Sequence, residues 1–152
     1  MRFTIILSEG LAKKLEEHAR REAPREACGV LAGERKDKRN AVRKIYKCKN
    51  VSRYPETTYE ISPEELLRVI TEIEESGLEL LGFYHSHPIP LEHPSYIDVG
   101  RATWSGHSYV IISKKMNICA THKLVRRTIG SWIWDEEKKQ FIEEKVIIRW
   151  KK

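Results

Sequence analysis

Long apolar runs are missing from this chain of 152 residues. None approaches the roughly 20 residues that cross a membrane. The start, Met1-Arg2-Phe3-Thr4-Ile5-Ile6-Leu7, carries one charge and too short an apolar run for a signal peptide, so a strand is expected there. Cysteine is scarce: Cys28, Cys48 and Cys119 are far apart, odd in number and form no C-x-x-C pair. Reduced thiols in a cytoplasmic protein follow, with a Cys28–Cys48 bridge left open. Glutamine is nearly absent (Gln140 alone) while Lys, Arg and Glu abound, a balance seen in heat-adapted proteins, where cytoplasmic disulfides do occur. A stripe of one sign of charge is lacking too. The formal net charge is +6, but the tightest runs, Glu34-Arg35-Lys36-Asp37-Lys38-Arg39 and Arg149-Trp150-Lys151-Lys152, read as a solvated loop and tail. A basic face can steer an acidic partner. No nucleic-acid motif accompanies the charge, so specific nucleic-acid binding is not expected. Repeats, low-complexity segments and linkers are also missing, and the length suits one domain over 1–152 that needs no staples.

The hydrophobic pattern supplies the elements. Phe3, Ile5 and Leu7 alternate as a strand. Ser8 is a helix N-cap, followed over Glu9–Glu22 by a stripe of Leu11, Leu15 and Ala19, and closed by Pro24. Ala27–Gly33 reads as a buried strand whose glycines signal close backbone approach. Ala41–Cys48 is another strand, imperfectly alternating. A polar loop with a short extended piece, Tyr59-Glu60-Ile61, precedes a helix with Ser62 as N-cap, Pro63 at its first position and Glu65 completing a capping box. Leu66, Val69, Ile70 and Ile73 form the buried stripe of that helix, and Gly77 ends it. Leu78–Tyr84 is an apolar strand, Ser95–Thr103 a short helix, and His107–Ser113, Asn117–Val125, Thr128–Trp134 and Gln140–Trp150 a run of strands. Strands and helices mix without regular βαβ alternation. The expected class is α+β, with a mixed, mostly antiparallel sheet flanked by helices.

Chemistry concentrates at Gly82-Phe83-Tyr84-His85-Ser86-His87-Pro88. Side chains two apart in a strand share a face, so His85 and His87 can present both imidazoles to one point while Ser86 faces away. Ten residues separate His87 from Asp98, enough for a loop to return a carboxylate to the pair. Two histidines and one carboxylate leave the fourth position of a zinc ion for water, the ligand count of a catalytic site. Iron and manganese suit the same ligand types. A blander explanation stands beside this one: Ser95 and Asp98 also form a helix-start pair, and two histidines can simply end a strand. The two readings are compatible, because a capped helix carries the aspartate in its first turn.

His85-Ser86-His87-Pro88 followed by Pro94-Ser95-Tyr96-Ile97-Asp98 resembles the H-S-H-P…P-S-x-x-D signature of the JAMM (MPN-plus) metalloproteases. Upstream, Pro24-Arg25-Glu26-Ala27-Cys28-Gly29-Val30-Leu31-Ala32-Gly33 resembles the segment that carries the family's catalytic glutamate. The likeness runs from residue 3 to about residue 115, and no ligand position departs from it. It implies a cytidine-deaminase-like α/β/α arrangement and one Zn²⁺ per chain on His85, His87 and Asp98. Glu26 would accept the proton of the attacking water and deliver it to the leaving amine, and Ser95 would donate to the developing oxyanion. The implied activity is that of an isopeptidase cutting after the C-terminal tail of a ubiquitin-like modifier, captured by strand addition. The compact chain is similar to stand-alone archaeal and bacterial members such as desampylases; for an archaeal chain the resemblance implies small archaeal modifier proteins as substrates. Rival readings are a peptidase trimming a sulfur-carrier protein beyond its Gly-Gly end, and a non-catalytic scaffold that dimerises or binds a partner. Homodimerisation is left open. On residue type alone, Glu26 is one glutamate among many.

Other candidates carry less. Glu92 and His93 lie between the two ligand sets, and a fourth ligand at His93 would close the water position. His18 is expected to be solvated on the polar side of its helix, and His107 and His122 to be ordinary strand residues. Trp104, Trp132, Trp134 and Trp150 suit a core or an interface.

Overall fold

A computed structural model describes residues 2–88, 93–115 and 126–150. Among these, seven strands and three helices follow in the order β1 (Thr4–Ser8), α1 (Glu9–Glu22), β2 (Cys28–Lys36), β3 (Arg39–Cys48), α2 (Pro63–Glu75), β4 (Glu79–His87), α3 (Tyr96–Arg101), β5 (Ser108–Lys115), β6 (Arg126–Asp135) and β7 (Gln140–Arg149). The strand expected over Asn117–Val125 lies outside the described residues, as do Cys119, His122 and Glu92. Residues 59–61 lie in the loop before α2 and join no strand.

The α+β class and the mixed sheet are present, with antiparallel pairs outnumbering parallel ones. The sheet, expected as the middle layer of an α/β/α arrangement, closes on itself instead of standing open. The sheet runs β1-β3-β2-β4-β5-β6-β7 and returns to β1, because β1 pairs in parallel with both β3 and β7, from Thr4 opposite Lys145 to Ser8 opposite Arg149. Pattern within one strand cannot announce a partner far away in sequence, so this closure has no local signal.

Two apolar clusters lie on opposite faces of the sheet. Every strand contributes to the first, for example Leu7, Leu31, Val42, Tyr84, Val110, Ile129 and Val146, and α1 packs into it through Leu15 and Ala19. The second packs Val69 and Ile73 of α2 on Val30, Tyr46, Phe83, Tyr109 and Trp134. Full burial of a side chain such as Leu15 contributes about 1.5–3 kcal/mol. Trp150, at 76% exposed, is outside the core.

Irregular alternation has a structural cause. Ala32 pairs with Lys44 and Gly33 with Val42, so Arg43 is an extra residue, and Val42 and Tyr46 reach opposite faces. A second shift leaves Leu81 extra between Leu80 and Gly82, which sends Leu81 to the α1 side while Phe83 faces α2. These bulges re-aim side chains. The glycines of β2 do mark close approach: a Cβ at Gly29 would strike the Tyr46 carbonyl and the Tyr84 ring, and one at Gly33 the Ala41 carbonyl.

Helix ends follow the sequence with one difference. Ser8 Oγ accepts from the Leu11 N–H, and Ser62 Oγ from the Glu65 N–H. The capping box of α2 is half-formed, because the Glu65 carboxylate turns to the Lys49 N–H at 2.9 Å and so ties α2 to the end of β3. At the far end Gly77, at φ 77°, adopts the left-handed conformation that stops a helix. The N–H groups of Gly77 and Leu78 return to Glu74 O and Ile73 O, satisfying carbonyls the helix leaves open.

Candidate metal centre

β4 delivers the histidines. Cys28 of β2 stands opposite His85, and the register continues by two bonds beyond it: Ser86 N–H donates to Ala27 O at 3.0 Å, and Ala27 N–H to Ser86 Oγ at 2.7 Å. Glu26 therefore comes abreast of His87. Ser86 faces away from the imidazoles, as alternation requires, yet it has a use that spacing did not reveal: it pins the chain that carries Glu26.

α3 delivers the carboxylate. Ser95 Oγ accepts from the Asp98 N–H at 3.1 Å, and Ser95 N–H donates to Asp98 Oδ2 at 2.8 Å. This complete capping box holds the Asp98 side chain at the start of the helix. Its Oδ2 lies 3.0 Å from His87 Nε2, its Oδ1 3.2 Å from His85 Nε2, and the two Nε2 atoms are 3.2 Å apart. Among the described residues, His85, His87 and Asp98 form the group whose ligand atoms all lie within 4.8 Å of one another. Two imidazole nitrogens and a carboxylate that sets one oxygen against each of them converge here, a donor set on which a divalent metal can sit.

Electrostatics separate the carboxylates. Burial alone would push Asp98 up, but hydrogen bonds from His85 and His87, with the Ser95 N–H, hold its carboxyl well below the usual range. Burial pushes Glu26 up to about 8, against a downward pull from His87 and with a push from Asp98. Glu26 is 3% exposed, and its Oε1 is without a hydrogen-bond partner among the described residues. Burial lowers His85, with Asp98 opposing. A buried acid with an idle oxygen beside a group that could hold a metal is an arrangement able to move a proton.

The remaining candidates separate clearly. His93 is exposed, sits edge-on to Trp132 and is outside the cluster. His18 is not solvated but buried, with Nδ1 2.8 Å from the Tyr84 hydroxyl. Cys28 and Cys48 face each other across β2 and β3 but are free thiols. Sequence reasoning missed Tyr59, whose ring stacks on His85 at 4.5 Å and 19°. Beside these rings a cavity of about 220 Å³ is bordered by His85, Asp98, Tyr59, Phe83, Arg101 and Trp104.

Residues 8–127 match the family of prokaryotic homologs of the JAB domain. The chain belongs to this family. Within reach of this prokaryotic JAB homologue, the desampylase of Haloferax volcanii is 39% identical over 128 residues, 84% of each chain. The CysO-cysteine peptidase of Mycobacterium tuberculosis is 33% identical over 113 residues, 74% of this chain and 75% of that one. A protein of Desulfitobacterium hafniense, solved in solution, shares the fold with a TM-score of 0.82 at 27% identity, over 97% of this chain and 94% of its own.

Proposed function

We propose that this JAB homologue, read as one domain over 1–152, is a zinc-dependent peptidase. It hydrolyses the bond after the C-terminal tail of a ubiquitin-like modifier, including isopeptide bonds to lysine in small archaeal-type modifier conjugates. The observation that carries this reading is the convergence of His85, His87 and Asp98 beside a buried Glu26 with an idle oxygen. The similarity to a desampylase supports it.

The donor set fits zinc: two imidazole Nε2 atoms 3.2 Å apart and a carboxylate with one oxygen 3.0 Å and the other 3.2 Å from them are ligand types that this ion takes. Three protein ligands leave a position for water or substrate. A bound zinc ion supplies a Lewis acid that polarises the scissile carbonyl and makes water a usable nucleophile near neutrality. Glu26 would be ionised beside a divalent cation held by these three residues, and its carboxylate would take the proton of the attacking water and return it to the leaving amine. Ser95 Oγ already accepts from the Asp98 N–H, which leaves its own hydroxyl hydrogen free to meet the carbonyl oxygen as charge develops there. β4 is paired on both sides, by β2 and by β5, as far as the histidines, so a captured tail pairs with backbone other than that of β4. Free thiols at Cys28 and Cys48 suit a reducing cytoplasm.

A second reading, trimming of a sulfur-carrier protein beyond its Gly-Gly end, is favoured by the similarity to CysO-cysteine peptidase. The chemistry is shared and the leaving group differs. Zinc-loaded protein is incubated with a modifier–lysine conjugate and with a carrier extended by one or more residues, and the products are weighed by mass spectrometry. Release at the isopeptide bond supports the first reading; release from the extended carrier alone selects the second; no hydrolysis of either rules out both.

A further inference from the structure

One buried amide draws together the loop between β3 and α2. Asn50 is 2% exposed. Its Nδ2 donates to Glu26 O and to Thr58 O, each at 3.0 Å, and more distantly to Pro55 O at 3.4 Å. Its Oδ1 accepts from the Ser52 N–H at 3.0 Å and the Glu60 N–H at 3.2 Å. Carbonyls only accept and backbone N–H groups only donate, so this partner set permits a single orientation of the side chain. The Glu26 N–H in turn donates to Pro55 O at 2.6 Å. Both backbone groups of Glu26 are thereby tied to the same loop. At the loop's other end, Thr58 and Glu60 flank Tyr59, the ring stacked on His85. A single side chain connects the backbone that carries Glu26 to the ring that packs on His85.

We propose that Asn50 is a positioning residue. It holds the 50–60 loop so that Glu26 stays abreast of His87 and Tyr59 fixes the plane of the His85 imidazole. The catalytic part of this inference rests on the peptidase reading; the metal-binding part does not. Aspartate at this position keeps the shape and the two accepted bonds but loses both donors, leaving Glu26 O and Thr58 O unpaired. Alanine loses all the contacts.

The test compares wild type, Asn50→Asp, Asn50→Ala, Tyr59→Phe and Tyr59→Leu. Folding is checked by circular dichroism, zinc affinity by competition with a chelating dye, and kcat and KM on a modifier–lysine conjugate. Partners that orient metal ligands change affinity or activity by about 10–100-fold when removed. Folded Asn50→Asp is expected to lose kcat by that factor with KM nearly unchanged, and to bind zinc more weakly. Tyr59→Phe, which keeps the ring, is expected to bind zinc about tenfold tighter than Tyr59→Leu. Wild-type kcat and zinc affinity in folded Asn50→Asp overturn the proposal. If the Asn50 variants fail to fold, equal zinc affinity in the two Tyr59 variants overturns it. A wild type that cleaves no conjugate defeats the peptidase reading, and the zinc affinities still decide the role of Asn50.

Discussion

Ser95 and Asp98 exchange two hydrogen bonds, Oγ accepting from one backbone N–H and Oδ2 from the other, and the same Oδ2 lies 3.0 Å from His87 Nε2. Helix start and ligand placement are one arrangement. Ser95→Ala is therefore expected to act twice. Loss of the cap costs about 1 kcal/mol, read as a small drop in Tm. Loss of an oxyanion donor lowers kcat by about 10²–10³-fold. Zinc content should persist, since the Ser95 N–H still reaches Asp98; a variant with unchanged kcat would remove Ser95 from the reaction.

Asp98→Asn keeps the size of the side chain and removes its charge. One ligand becomes a weak neutral donor, and the two imidazoles lose the anion between them. Zinc binding measured by dye competition should weaken at least about tenfold, while the ordinary fold persists. Retained affinity would place the metal elsewhere.

Glu26 predicts a pH dependence of the metal-free protein. Its ordinary value is near 4.5 and burial raises it to about 8 in the fold, so the folded state retains a proton that the unfolded state releases between those values. Stability therefore falls as pH rises from about 4.5 towards 8 and levels off beyond. Asp98 works in the opposite sense: its lowered value adds stability above its ordinary range that is lost as pH falls. Glu26→Gln should abolish the alkaline decline, so denaturant titrations of the two metal-free proteins at about pH 5 and about pH 8.5 should show the variant gaining on wild type at the higher pH. A gap independent of pH would show that Glu26 is not buried as described.

Cys28 and Cys48 should resist alkylation in the folded state. Both are buried; burial pushes the Cys48 thiol up to about 12 and the Cys28 thiol higher still. The thiolate is the reactive form. Peptide mapping after brief treatment with iodoacetamide should find both unmodified, and both modified once the chain is unfolded. Rapid labelling of either in the native state would contradict this.

Much of the site was legible because its residues obey local rules. His85 and His87 alternate on a strand, and Ser95 and Asp98 sit three apart at a helix start; each pattern follows from geometry within a few residues. The caps at Ser8 and Ser62 and the stop at Gly77 read correctly for the same reason. What escaped depends on distant partners. Glu65 was free to complete its capping box but bonds Lys49 instead. His18 looks solvated on a helical projection until Tyr84 arrives from β4. The closure of β1 on β7, the stacking of Tyr59 on His85 and the contacts of Asn50 join segments that no local period relates. Glu26 falls between the two groups: its neighbours in sequence resemble a known segment, but its burial and idle oxygen appear only when β2 meets β4.

The most direct measurement follows a modifier–lysine conjugate by mass spectrometry with zinc-loaded wild type, zinc-loaded Glu26→Gln and chelator-treated wild type, with metal content determined for each. A positioned general base contributes about 10²–10⁴-fold, so zinc-loaded wild type should release intact modifier and free lysine side chain while the equally loaded variant is slower by that factor and the stripped protein is inactive. Equal cleavage by wild type and Glu26→Gln at equal zinc content would contradict the assignment of Glu26 and the centre built around it.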